Sequence, residues 1–215
     1  MEHSTVKPKN TGKKQLFKNP VLESLTRTHI SVPLIIFYSA AAVALGYGLV
    51  EGLVTPLLAV IIFIIGFVLF TLVEYCIHRF IFHMEPDNKV KSSIQYNFHG
   101  VHHEYPKDKA RLAMPPVISV VLATLLFFAF KLTLGNYVFA FYPGFLSGYA
   151  TYLCFHYIVH AFRPPKNFLK VLWIHHGIHH YKESDRAYGV TSPMWDFLFR
   201  TMPRVGAKNY KAEKV

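Results

Sequence analysis

Ten of the chain's 13 histidines fall into four short clusters. "EYCIHRFIFH" carries His78 and His83, an HxxxxH, and "FHGVHH" carries His99, His102 and His103, an HxxHH. "FHYIVH" carries His156 and His160, an HxxxH, and "HHGIHH" carries His176, His179 and His180, a second HxxHH. Only His3, His29 and His175 are left over. Residues three and four apart share a helix face, with Cβ atoms about 5–6 Å apart. One turn of HxxHH is therefore expected to offer three imidazoles to one point, and HxxxH two. HxxxxH overshoots a turn, which suits either ligands for two different ions or a locally opened helix end. Neutral imidazole is the commonest metal ligand. Ten exceed the roughly four to six that one ion takes, so the count points to two metal ions.

Ligand type leaves the metal open, because imidazole suits zinc, copper, iron and nickel. Zinc, redox-inert, would mean hydrolysis or a structural role. A hydrolase would need a carboxylate base, and Glu104, beside the first HxxHH, is the candidate. A closed structural site takes four ligands, which disfavours a purely structural cap. Iron with open positions would mean oxygen chemistry, and a site at a membrane edge makes a lipid the molecule oxidised. A transporter would gather its ligands near the bilayer midplane, whereas here they gather at one surface.

Four apolar stretches must position these clusters: about Val32–Val50, Leu53–Val73, Val117–Leu134 and Tyr137–Val159. At ~1.5 Å per residue each spans roughly 27–35 Å, about one hydrocarbon thickness. Lys131 interrupts the third near its end, where a long side chain can snorkel. The fourth, rich in Gly and Tyr, is expected to pack against protein. "EGLVTP" and "LGNY" read as tight hairpin turns, while the N-terminal arm, the Cys76–Pro116 connection and everything after Ala161 are long and rich in Lys, Arg and His. By the positive-inside rule these segments face the cytoplasm, with both termini there. The expected fold is thus all-α: a polytopic membrane protein of four transmembrane helices in two hairpins, bearing a cytoplasmic histidine-rich helical cap. Residues 1–31 form a basic cytoplasmic arm and 32–215 the membrane domain with its cap.

Composition agrees. Apolar residues make up 52% and charged residues only 16%, below the roughly 25% of soluble domains. The net charge of +11 sits largely at the two ends and comes with no nucleic-acid module, so it suits an anionic membrane face and not nucleic acid. Cys76 and Cys154 lie far apart in or beside apolar runs, with no CxxC, and read as small buried hydrophobes.

Taken in order, "EYCIHRFIFHM", "FHGVHHEYPKDKARLAMPP", "YLCFHYIVH" and "HHGIHHYKESDRAYGVTSPMWDFLF" resemble the fatty acid hydroxylase superfamily of integral-membrane, histidine-rich di-metal enzymes. Within it the likeness is to fatty acid 2-hydroxylases, which act on the acyl chains of sphingolipids, and it runs over about Leu72–Met202. The resemblance implies that the ten clustered histidines are metal ligands, with His175 outside the set. It implies two iron ions (zinc in their place in isolated protein), O2, and hydroxylation of a lipid acyl chain at the 2-position. Sterol, carotenoid or alkane oxidation by the same superfamily, and a zinc-dependent membrane hydrolase or metal-handling protein, are the alternatives. Many members carry an N-terminal haem domain where this chain has a basic arm. That implies a separate electron-transfer protein as donor, and favours a bacterial inner membrane over the endoplasmic reticulum. Leu153 stands where larger members have Asp, three residues before the HxxxH. Tyr152, Tyr157, Tyr181 and Trp195 are candidates to line the acyl path, against ordinary interfacial packing. Glu74, one turn before His78, is a candidate acceptor for that ring or for Arg79, and Asp196 is read as structural.

Overall fold

The computed structural model describes residues 7–206, and every regular element among them is helical. Four helices are long: α2 (Ser31–Val50), α3 (Pro56–Ile77), α6 (Pro116–Leu134) and α7 (Val138–Ala161). Short ones make the cap: α1 (Pro20–Leu25), α4 (Lys89–Gln95), α5 (Val101–Glu104), α8 (Lys170–Tyr181) and α9 (Met194–Leu198). Proline opens α3 at Pro56 and α6 at Pro116, at the helical position where its missing N–H costs nothing. The expected second stretch began at Leu53 and ended at Val73. The observed helix starts later because Pro56 opens it, and continues past Glu74 because that carboxylate finds partners inside the protein. Gly52 (φ 63°) and Gly135 (φ 57°) turn the chain at the two tight connections, a conformation that costs Gly little.

α7 is the central helix. It packs on α3 and α2, with α6 beside it, and 15 of its 24 residues are buried. The α3–α7 crossing is backbone against backbone. A Cβ on Gly66 would lie 2.1 Å from the Phe141 carbonyl oxygen, and one on Gly144 2.0 Å from that of Phe63. Small residues permit such approach between apolar helices. On its other flank, Phe37 and Ala41 of α2 meet Val138, Tyr142, Leu146, Ala150 and Leu153. Outward faces stay apolar: Val43, Leu57, Ile64, Ile65, Val121, Leu125 and Leu132 are exposed. Three stretches, Ser31–Val50, Pro56–Phe82 and Lys109–Ala161, are long and apolar enough to cross a membrane. The third contains both α6 and α7.

At the cap end the helices change pitch. α3 runs on into a π-helical turn, His78–Phe82, closed by the His83 amide donating to the His78 carbonyl at 3.1 Å. α4 likewise leads through a π-helical turn, Tyr96–Gly100, into α5. The arm lies on the cap. The Lys9 amide donates to the Glu104 carbonyl at 2.7 Å, and the Tyr181 hydroxyl donates to Asn10 Oδ1 at 2.8 Å.

Candidate metal centre

The ten clustered histidines converge into two abutting groups of five. His78, His83, His99, His103 and His179 form the first, and His102, His156, His160, His176 and His180 the second. Within each group one nitrogen from every ring lies within 4.8 Å of the others. The groups meet where the His103 and His180 rings stack, centroids 4.2 Å apart.

Local geometry decides one expectation and corrects another. Of the two alternatives for HxxxxH, the locally opened helix end is the one observed. The π-helical turn opens the helix so that His78 and His83, five apart, enter the same group, the kind of feature often found at functional sites. HxxHH, conversely, does not serve one point. Adjacent residues on a helix are about 100° apart, so the i+3 and i+4 positions diverge. His99 and His103 enter the first group while His102 enters the second, and His176 and His180 enter the second while His179 enters the first. Each group therefore takes an i,i+4 pair from one HxxHH, the middle histidine of the other, and a pair from the cap end of α3 or α7.

The donor atoms fit metal ions. His99 Nε2 lies 3.0 Å from His78 Nε2 and 2.9 Å from His103 Nε2. His176 Nε2 lies 2.8 Å from His160 Nε2 and 3.1 Å from His180 Nε2. One N–H can serve only one of two such neighbours, whereas one cation can serve all. Ligands about 2.1 Å from an ion and at right angles would lie about 3.0 Å apart. His179 Nε2 is buried with no hydrogen-bond partner among the described residues, as a donor reserved for an ion would be. Backbone carbonyls only accept, so they fix the tautomer of three rings. His78 Nδ1 donates to Tyr188 O, His179 Nδ1 to Arg186 O at 2.7 Å and His156 Nδ1 to Leu112 O at 3.1 Å. That leaves the opposite nitrogen a lone pair.

Burial first, and neighbouring imidazoles second, hold His99, His102, His103, His176, His179 and His180 well below the ordinary histidine value of 6.5. The rings are neutral at pH 7, the form that binds metal. A cavity of about 210 Å³ reaches His83, His103 and His180 from the cap surface, bounded by Lys7 and Pro8 of the arm and by Lys182. It is smaller than the ~300–1,000 Å³ of sites enclosing drug-sized ligands, and so suits a small solute.

His175 lies outside both groups, its Nε2 2.9 Å from Asp196 Oδ2. His29 is exposed beside Ser31, and His3 lies outside the described residues. Glu74 accepts nothing from His78 or Arg79. Its partners are the amides of Val190 and Thr191 and the Thr191 hydroxyl. Tyr152 stacks on His156, centroids 5.5 Å apart, and Tyr181 borders the cavity. Tyr157 packs on Phe162, and Trp195 donates to Thr71 Oγ1 and stacks on Phe199, so neither adjoins the histidines. Leu153 is apolar core, and Cys76 and Cys154 are free and half-buried. The sequence reading missed the backbone acceptors at Leu112, Arg186 and Tyr188. A carbonyl belongs to every residue, so no residue type announces it.

Comparison with known proteins decides the family. The model of the family described as fatty acid hydroxylase matches residues 63–201, which contains both histidine groups. The chain belongs to the fatty acid hydroxylase family. It is 38% identical over 198 residues to the ceramide very long chain fatty acid hydroxylase scs7 of Schizosaccharomyces pombe, covering 90% of this chain and 56% of that one. It is 32% identical to the dihydroceramide fatty acyl 2-hydroxylase FAH2 of Arabidopsis thaliana, covering 92% and 84%. The chain thus spans little over half of the fission yeast relative and most of the plant one. A solved structure of full-length scs7p, in which only the hydroxylase domain is visible, superposes with a TM-score of 0.82 at 33% identity, over 91% of this chain and 74% of that chain.

Proposed function

We propose that this member of the fatty acid hydroxylase family hydroxylates lipid acyl chains at the 2-position, in fatty acids or in ceramide-type sphingolipids, with two iron ions held by the ten histidines. The observation that carries this is the pair of abutting groups of five histidines, all buried but the half-buried His83. Two redox-active ions there would supply the binding and reductive activation of O2 that an unactivated C–H bond demands. The chain's own contribution is to keep the imidazoles neutral, fix the tautomers of His78, His156 and His179, and exclude bulk water by burial. The relatives' names, ceramide and dihydroceramide hydroxylases, supply the substrate class, and a separate electron-transfer protein supplies the electrons.

The same reading divides the chain into an arm, residues 1–31, and a membrane domain with its cap, 32–215. α2, α3, α6 and α7 cross the bilayer as four spans with the cap and both termini in the cytoplasm. Support comes from the apolar outward faces, the turn at Gly135 and the basic cap-side connections. An acyl chain lying among these helices has its head at the depth of the histidines. A zinc hydrolase fits less well. Glu104, its candidate base, is engaged by Lys9 at 2.6 Å and by the Tyr96 hydroxyl, and those hydrogen bonds, Lys9 first, hold its carboxyl below the ordinary range. Such a carboxylate is a poor proton acceptor.

Expression in lipid-replete cells with iron and a reductant, followed by lipid mass spectrometry, tests the proposal. Acyl chains gaining one oxygen at C2, and losing that product in His176→Ala, are expected. Unchanged acyl chains under competent electron supply would refute hydroxylation, and released head groups would favour hydrolysis.

A further inference from the structure

Among the described residues three carboxylates outside both histidine groups are almost completely shielded; Asp108 faces Arg27 and Arg111, whereas Glu74 on α3 and Asp196 on α9, with relative exposures of 6% and 0%, have no such cation. Burying a carboxylate costs several kcal/mol unless hydrogen bonds replace its water. Here one short segment makes most of the replacement. Asp196 Oδ1 accepts from the Tyr188 amide at 2.9 Å, and its Oδ2 from the Gly189 amide at 2.7 Å. Glu74 Oε1 accepts from the Val190 amide at 2.7 Å and the Thr191 amide at 3.0 Å, while its Oε2 takes the Thr191 hydroxyl. Four consecutive backbone N–H groups, 188 to 191, thus point into two carboxylates carried by different helices.

The same segment presents its carbonyls to the histidines. Tyr188 O accepts from His78 Nδ1, and Arg186 O, just upstream, from His179 Nδ1. Between them Ala187 is fully buried at φ 59°, and its amide donates to Thr201 O. A side chain at that angle is strained and persists only where surroundings over-determine it. Asp196 adds to that restraint by accepting from Thr201 Oγ1 at 2.7 Å and His175 Nε2 at 2.9 Å. Gly189 closes the fold, since a Cβ there would lie 2.2 Å from Ser192 O. Both histidines served belong to the first group. Of the second group, only His156 has a backbone acceptor of this kind among the described residues, from Leu112, and that contact owes nothing to the clamped segment.

We infer that Glu74 and Asp196 are positioning residues that clamp 188–191 so that the carbonyls of Tyr188 and Arg186 orient His78 and His179, and hence stabilise the ion of the first histidine group selectively. This rests on the reading that each group of five holds one ion. Outer partners of metal-bound histidines typically contribute 10–100-fold to metal affinity. The clamp acts one step further out, through the backbone.

The test is chelator-driven metal release from the purified full-length chain, counted per chain, alongside thermal melting. Wild type should hold two ions. In Glu74→Gln one ion should leave about 10-fold faster or more while the second leaves at the wild-type rate. Thr191→Val keeps both carboxylates and all four amides, so it should fold and shift the same ion in the same direction by less. In a His176→Ala background, which lacks the second group's ion, Glu74→Gln or Thr191→Val should accelerate release of the remaining one. Release of both ions at wild-type rates, or equal acceleration of both, would overturn the clamp. A wild-type chain that binds fewer than two ions overturns instead the two-ion reading on which it stands.

Discussion

The two histidine groups are built from matching parts and secured differently. Each takes a pair from a membrane-helix end, an i,i+4 pair from one HxxHH and the middle histidine of the other. In the first group two rings are tied to carbonyls of a segment that two buried carboxylates hold. In the second, one ring is tied to Leu112, while His102 Nδ1, His176 Nδ1 and His180 Nδ1 are buried without a hydrogen-bond partner among the described residues. The contrast shows that equal donor sets do not make equal sites. Orientation of the rings is supplied from outside the histidine groups, and here mainly to one side.

The largest effect should come from breaking the two groups one at a time. His103 and His180 stack on each other across the junction, one from each group. Replacing either with Ala should cost one ion per chain and lower product formation at least about 100-fold, beyond the range of outer partners. Metal analysis should find a different ion retained in each variant. Loss of both ions in both variants would mean that the groups act as one site.

A smaller effect should follow acidification. His99, His102, His103, His176, His179 and His180 are held below 6.5 in the folded chain, while the unfolded chain takes up protons through that value. Where the unfolded state binds more protons, stability rises with pH. Their contribution is therefore constant above about pH 6.5 and turns against the fold as pH falls below it. Protons also compete with metal for the same nitrogens. Metal content and Tm followed from about pH 7.5 to pH 5.5 should fall together, with the second group emptying first because three of its rings lack an outer tether. Simultaneous release would remove that distinction.

Much of this was legible in the residues, and the reasons differ by element. The four long helices follow from apolar length and from the Pro and Gly that bound them, so their limits moved by only a few residues. α7 could be assigned to the protein interior because Gly144 and Gly148 let it approach α3, and both neighbours are close enough to exclude a Cβ. The convergence of ten histidines was visible in their spacing, whereas His175, four residues before His179, was set apart from His176 only by the family resemblance. Their division between two groups was not. It depends on the 100° between adjacent helical positions and on a π-helical turn that no side chain in "HRFIFH" encodes by type. The partners of Glu74 were also hidden, because they are two backbone amides and a hydroxyl more than 110 residues downstream. Sequence shows which groups can ligate; which carbonyls aim them is written in the path of the chain.

Anomalous diffraction from iron-loaded protein crystals would test the central claim most directly. The expected result is two iron peaks per chain, one among the Nε2 atoms of His78, His99, His103 and His179 with His83 beside them, and one among His102, His156, His160, His176 and His180. A single peak, or a peak ligated by His175, Glu74 or Asp196, would contradict it.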